Sequence, residues 1–391
     1  MAEQKAPSGA PDRTLLGPGP SNVDPRVLDA ISAPLLGHLD PAFLDLADET
    51  QDLLRQAFLT KNPVTFPVSG TGSAGMESCF VNLVEPGDSV LVCVNGVFGT
   101  RMADVAARCG ARVTKVEAPW GRAMDPADVA AAAKKCAPKV VAVVHAETST
   151  GALTPIAPIG SIAQACDALL LVDTVTSLGG LPVELDRWGA DACYSGTQKC
   201  LSCPPGLAPV SFSPRAIEKV HARKTKVPSW YFDLTLLTRY WGKERVYHHT
   251  APISMIYALN AALRILLEEG LEKCWERHLL NHRALVAGLE AMDLALVVPE
   301  EERLPQLNAV AIPAGVDDQT VRGRLLEEFG IEIGAGLGVF QGKVWRVGLM
   351  GYSSARRNVM ALLEALQIIL PDAGHRLSPG AALRAAEEIY G

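Results

Sequence analysis

The chain has no run approaching about 18 consecutive apolar residues, the least that spans a bilayer as a helix. Its first dozen residues, MAEQKAPSGAPD, lack the apolar stretch of a secretory leader, and its end, Tyr390-Gly391, is no peroxisomal address. The expectation is a protein that is neither secreted nor membrane-bound. Cysteine is sparse and scattered: nine thiols form no dense framework, and an odd number cannot pair completely, which fits a reducing cytoplasm. An excess of positive charge is also missing. With 36 Lys and Arg against 43 Asp and Glu, a net charge of −7 argues against a general nucleic-acid surface or an acidic-membrane surface. Low-complexity tracts and internal repeats are absent too, which excludes a solenoid. Chemistry on small molecules is what these absences leave open.

What is present is a long chain of ordinary globular composition, 391 residues with 48% hydrophobic and 20% charged. That is enough for one large domain and a smaller companion. Residues 1–13 read as a flexible arm, and the alternating Gly and Pro of LLGPGPSN (15–22) dictate an irregular turn. Helical spacing runs over 41–59, with Asp40-Pro41 as its start. Between 64 and 213, short apolar runs (89–94, 139–144, 168–172, 192–194) alternate with Ala-rich segments such as 125–136. Such alternation predicts an α/β domain with a mostly parallel sheet covered on both faces, with functional groups at the carboxyl ends of its strands. Two helices fill 252–291 with a break near Gly270. A smaller α+β unit follows, with strands at 310–312 and 343–349 and helices at 318–329 and 355–370. The expected organisation is an arm (1–13), a large domain (14–270), a small domain (271–372) and a tail (373–391) with one more helix.

Six stretches carry chemistry. Lys199 follows a short apolar run and precedes Pro204-Pro205-Gly206; it is either a solvated loop lysine or an amine in a dry setting, whose lowered pKa suits it to attack a carbonyl. Asp173 closes the apolar run 168–172, so it needs a cationic partner, which a structural Arg or Lys or a protonated pyridine nitrogen would supply. Gly70-Thr-Gly-Ser-Ala-Gly75 spells GxGxxG, yet the next strand ends Val94-Asn95 without the acidic residue that a dinucleotide ribose requires. It reads as a helix N-terminus, capped without a ligand or seating an anion on free amides, with the Thr71 and Ser73 hydroxyls beside it. Cys200-Leu-Ser-Cys203 lacks the second pair or the histidines of a zinc site, so these cysteines read as packing residues and no metal is expected. Tyr247-His-His-Thr250 is either a solvated loop or a hydroxyl pair on an anion. Arg346, inside the apolar run Val344-Trp-Arg-Val-Gly-Leu349, needs a carboxylate, either a structural one or that of an amino-acid substrate.

Taken together, LLGPGPSNV (15–23), SGTGSAGMES (69–78), NGVFG (95–99), AETSTG (146–151), LLVDTVTSLGG (170–180), YSGTQKCLSCPPG (194–206), YHHTAP (247–252) and VWRVGLMG (344–351) resemble the class V aminotransferases. These are fold-type I pyridoxal-phosphate enzymes, and the likeness is in particular to the alanine:glyoxylate and serine:pyruvate aminotransferases. The resemblance covers roughly residues 15 to 370 and implies a seven-stranded-type, mostly parallel sheet between helices in the large domain. It implies that Lys199 bonds the cofactor aldehyde and shuttles a proton, and that Asp173 holds the pyridinium nitrogen with Val175 against the ring. Thr71, Gly72, Ser73 and Gln198 would seat the phosphate, joined by Tyr247 and Thr250 from the second subunit of a homodimer. Arg346 would take the substrate carboxylate, with Gly19 in the 17–20 turn and Thr148 on the substrate side. Phe98 stands where many relatives stack a tryptophan, Thr148 where they carry serine, and Ser73 where they carry histidine.

The function implied is ping-pong transamination between a small amino acid, alanine or serine, and a small 2-oxo acid, glyoxylate or pyruvate. Three alternatives remain: a related enzyme taking 2-aminoethylphosphonate or 3-hydroxykynurenine, a lyase of the cysteine desulfurase kind, and a non-catalytic nucleotide binder.

Overall fold

The computed structural model describes residues 9–391. Seven strands form the central sheet, in the order Val64–Ser69, Leu207–Phe212, Ala192–Tyr194, Leu169–Asp173, Val140–Val144, Ser89–Val94, Arg112–Glu117. All neighbours are parallel except Leu207–Phe212, which runs antiparallel to both of its own. The four apolar runs form four of the five inner strands, because a sheet covered by helices on both faces buries nearly every side chain along them. Three strands escaped the sequence pattern. Val64–Ser69 and Leu207–Phe212 each carry a proline, and these two prolines face each other in register. Arg112–Glu117 is a charged edge strand, of the kind that discourages pairing with another chain.

The helix starts have a local cause. Asp40 and Asp125 each accept a bond from the amide two residues on, with proline at the first helical position. The 252–291 stretch is Ile253–Glu269 and Leu271–Glu290, broken at Gly270. The second layer is a three-stranded antiparallel sheet, Leu307–Ala311, Val344–Gly348 and Gly334–Ala335, with Val344–Gly348 in the middle. Asp318–Phe329, Arg356–Asp372 and Ala381–Tyr390 surround it. The last of these lies in the tail, where Tyr390 donates to Asn281 Oδ1 over 2.7 Å and Arg356 sits 4.9 Å over the Tyr390 ring.

Two large apolar cores result among the described residues. Leu271–Glu290 belongs to both, with Cys274 in the larger and Ala284, Leu285 and Leu289 in the smaller. The segment after the arm packs with the second layer. Thr14 and Leu15, assigned to the large domain, pair in parallel with Ile331–Glu332, and Leu16 lies in the smaller core. A two-residue strand has no periodicity to read, so only its tertiary partner reveals it. Of the expected arm, residues 9–13 are irregular, Arg13 donates to the Leu326 carbonyl over 2.7 Å, and residues 1–8 lie outside the described residues.

Candidate active site

The site forms where the carboxyl ends of the parallel strands meet the small layer. Asp173 ends the strand Leu169–Asp173 and is 3% exposed. Parallel pairing places it opposite Tyr194, the last residue of the next strand. Tyr194 donates its phenol to Asp173 Oδ2 over 2.6 Å, and the Val175 amide donates to Oδ1 over 2.8 Å. Burial pushes the Asp173 carboxyl up to about 6, with these two bonds, Lys199 and Arg101 pulling the other way. Asp173 makes no ion pair among the described residues. It is a dry carboxylate held in place and short of a cation.

Lys199 lies in the loop that follows Ala192–Tyr194 and is 8% exposed. Its amine donates to the Pro18 carbonyl. Burial lowers the amine to about 8, Arg346 acting in the same sense and Asp173 opposing. The solvated-loop alternative for this lysine is excluded by its burial. The turn at 17–20 closes over it. A Cβ at Gly19, where φ is +100°, would lie 2.5 Å from Lys199 Nζ, so only glycine leaves the amine its space. Ser21 fastens the turn to the loop, its amide donating to Gln198 O (2.9 Å) and its hydroxyl to Lys199 O (2.9 Å).

The glycine-rich turn leads from the edge strand Val64–Ser69 into the helix Gly72–Leu83. Thr71 is its N-cap residue, yet the side chain makes no capping bond, so that hydroxyl and the first-turn amides are available to an anion. Gly72 lies against Val175 and the Ser195 carbonyl, which brings this turn beside the Asp173 segment. Ser73 is exposed. Gln198 has a buried carboxamide oxygen with no partner.

Arg346 occupies the middle strand of the small sheet and is 7% exposed. Its guanidinium donates only to carbonyls, Ala335 O (2.7 Å) and Thr148 O (3.2 Å). Burial lowers its pKa, partly countered by Glu147. No described carboxylate pairs with it, so the structural salt bridge left open by the sequence is not formed. Phe98 is half-buried in the helix Val97–Arg108, with the Arg101 guanidinium 5.0 Å from its ring centre.

Tyr247 and Thr250 are exposed, Tyr247 by 59%, and are not gathered with the others. Between them, His249 bonds Ser69 Oγ over 2.9 Å, next to the glycine-rich turn. Cys200 and Cys203 are buried. Among the described residues no cluster of three metal-ligating side chains exists. A cavity of about 470 Å³ behind the lysine loop, lined by Cys200, Ser202, Arg277 and Tyr352, is a separate space that omits Asp173, Lys199 and Arg346.

Sequence reasoning missed Tyr194 and Glu147. Tyr194 ends a run already recognised as a strand, but its role depends on which strand pairs with it. Glu147 is fully buried and is treated below.

The donor set fits the cofactor that the resemblance implies. The cation-starved carboxylate suits a pyridinium and the dry amine an aldehyde. The uncapped helix end and the unpartnered Gln198 carboxamide suit a phosphate. Comparison with known proteins agrees. The family model for aminotransferase class V matches residues 15–360. The crystal structure of ureidoglycine–glyoxylate aminotransferase from Bacillus subtilis superposes with a TM-score of 0.96 at 43% identity, covering 97% of this chain and 98% of that one. That of alanine–glyoxylate aminotransferase from Nostoc sp. gives 0.92 at 52% identity, over 94% and 97%. Mouse alanine–glyoxylate aminotransferase (Mus musculus) is 41% identical over 92% of this chain and 88% of its own. On the strength of that match, which spans the site from the 17–20 turn to Arg346, this chain belongs to the class V aminotransferases, a family of pyridoxal-phosphate-dependent enzymes.

Proposed function

We propose that the chain moves the amino group of a small amino acid, alanine or serine, to a small 2-oxo acid, glyoxylate or pyruvate, by a ping-pong route. The observation that carries this reading is Arg346, a buried guanidinium with no carboxylate of its own beside a buried amine. Both partners of a transamination are carboxylates, and one planar fork can receive each in turn. A second reading has its own support: the 43% identity and 0.96 TM-score to a ureidoglycine–glyoxylate enzyme favour (S)-ureidoglycine as donor, with glyoxylate again as acceptor.

When bound, pyridoxal phosphate supplies an aldehyde that takes up the amino group and a ring that accepts the electron pair of the substrate α-carbon. The protein's own groups do the rest. Arg346 binds and orients the carboxylate, while Gly19 and Thr148 shape the substrate side. Lys199 Nζ, unprotonated in part near neutrality, holds the proton taken from the α-carbon and returns it at the far end of the transfer. Asp173, fastened by Tyr194 and the Val175 amide, would hold the protonated ring nitrogen, and Val175 and Phe98 would bound the ring. Thr71, Gly72, Ser73 and Gln198 would hold the phosphate.

Tyr247 and Thr250 complete that phosphate site from a second copy of the chain in a homodimer. Their exposure, and the exposed Trp230 (64%) and Leu35 (72%), support this reading. No described helix is long and apolar enough to cross a membrane, and all nine cysteines are free, which supports a reducing cytoplasm as the compartment. A desulfurase reading is disfavoured because the last cysteine, Cys274, is buried and its thiol is pushed up to about 12 by burial. The test is a half-reaction screen of alanine, serine, (S)-ureidoglycine, 2-aminoethylphosphonate and 3-hydroxykynurenine, followed by the absorbance of the lysine-bound cofactor. Lys199→Ala should lose both that band and turnover. A variant retaining either overturns the assignment.

A further inference from the structure

Glu147 is fully buried, and the chemistry above does not use it. It follows the strand Val140–Val144, whose neighbour Ser89–Val94 leads into the helix bearing Phe98. Those two strands flank the point where the strand order reverses: Ser89–Val94 next pairs with Arg112–Glu117 on one side, while Val140–Val144 pairs with Leu169–Asp173 on the other. A crevice opens at such a point, and Glu147 spans it. Its Oε2 accepts from the amides of Phe98 (3.1 Å) and Gly99 (3.4 Å), first-turn donors that have no partner within the helix. Its Oε1 accepts from the Ser149 amide (3.1 Å) and hydroxyl (2.6 Å). Ser149 Oγ in turn accepts from the Val97 amide over 2.9 Å.

The backbone of the same turn is equally tied. Gly151 N donates to Glu147 O over 2.8 Å, and the carbonyl of Thr148 accepts from Arg346. Gly96, whose backbone is extended, has no room for a Cβ, which would run into Ser149 Oγ and the Glu147 carboxyl.

We infer that Glu147 is a positioning residue, a buried carboxylate that joins the first turn of the Phe98 helix to the 147–151 turn holding Arg346, and so sets the ring-stacking side chain against the carboxylate-binding one. This rests on the active-site roles proposed above for Phe98 and Arg346. Burial pushes the Glu147 carboxyl up to about 7 with the bonds from Ser149 and Gly99 pulling the other way, and all four contacts to its two oxygens come from donors. Glu147→Gln preserves size but turns one oxygen into an amide nitrogen, which must then face donors on whichever side it lies.

The experiment compares wild type and Glu147→Gln, both loaded with pyridoxal phosphate. Three readouts are taken: amide hydrogen exchange of residues 97–101, the dissociation constant of the cofactor by equilibrium dialysis, and KM and kcat for the amino donor and 2-oxo acceptor. Expected are faster exchange at 97–101 and a cofactor constant raised roughly tenfold, the size of one charged hydrogen bond. KM for both substrates should rise together by a similar factor, with kcat falling less than about threefold, because the guanidinium that binds both carboxylates is displaced while Lys199 is untouched. A variant that loses only melting temperature, with exchange, cofactor affinity and KM unchanged when folded, overturns the inference. So does faster exchange with unaltered kinetics. If Glu147→Gln does not fold, Ser149→Ala decides. It deletes one bond to Glu147 and the acceptor of the Val97 amide, and should show the same pattern at about threefold; unchanged KM and exchange overturn the inference. Wild type that itself fails to transaminate refutes the site assignment instead, so the two failures are told apart.

Discussion

Replacing Tyr194 by phenylalanine removes a single oxygen from the floor of the site, and with it the 2.6 Å bond to Asp173 Oδ2. That bond is one of the forces keeping the buried Asp173 carboxyl as low as about 6. A hydrogen bond to a charged group contributes about 1.5–3 kcal/mol. At about 1.4 kcal/mol per pKa unit, its loss lifts the carboxyl by about one to two units, to roughly 7–8 in the free protein. At pH 7 the ionised fraction then falls from about nine-tenths to between about a half and a tenth. Only the ionised form can hold a protonated ring nitrogen. Tyr194→Phe should therefore weaken binding of pyridoxal phosphate by the cofactor-free protein roughly two- to tenfold at pH 7 and move the acid limb of that binding upward by about one to two pH units. Binding should recover at alkaline pH. The assay is a pH series of cofactor binding to the cofactor-free protein by equilibrium dialysis. A profile that superposes on wild type, or a loss of equal size at every pH, refutes the reasoning.

Two further predictions concern stability. Asp173 has a folded pKa raised above its ordinary value of 3.8, so its contribution is favourable at low pH and is lost as pH rises through about 6. Asp173→Asn should thus stabilise the cofactor-free protein above pH 6 by about 1–3 kcal/mol while abolishing transamination, measured by urea unfolding; equal stability of the two proteins at pH 8 contradicts this. His145 behaves oppositely. Burial holds it at about 3, below its ordinary 6.5, and Nδ1 has no partner. Stability is therefore lost as pH falls below 6.5, and the difference between wild type and His145→Leu should shift in favour of the variant by about 1.4 kcal/mol per pH unit between pH 6 and 4. A difference independent of pH excludes a neutral buried imidazole.

How much was legible beforehand depended on whether the signal was local. The inner strands showed because burial on both faces leaves continuous apolar runs. The helix start at Asp40 showed because a cap is chemical. Asp173 and Lys199 stood out as charges at the ends of apolar runs. Tyr194 and Glu147 did not, since a tyrosine in a strand and a glutamate in a loop have no local mark of their partners. The strands at 64–69 and 207–212 were hidden by their prolines, and Thr14–Leu15 by its brevity.

By itself, then, the amino-acid order determined the alternation of elements, the chemical identity of the amine, the carboxylate and the guanidinium, and the family that carries them, because each is written in periodicity or in residue type. Tertiary structure alone decided that Asp173 lies beside Tyr194, that Gly19 closes on the Lys199 amine, that Arg346 meets carbonyls where a salt bridge had been possible, and that Glu147 ties Phe98 to the turn behind Arg346. Those relations cross from about 20 to nearly 200 positions of sequence. They exist only once strand register and the packing of the small sheet on the large one bring distant residues within hydrogen-bonding reach.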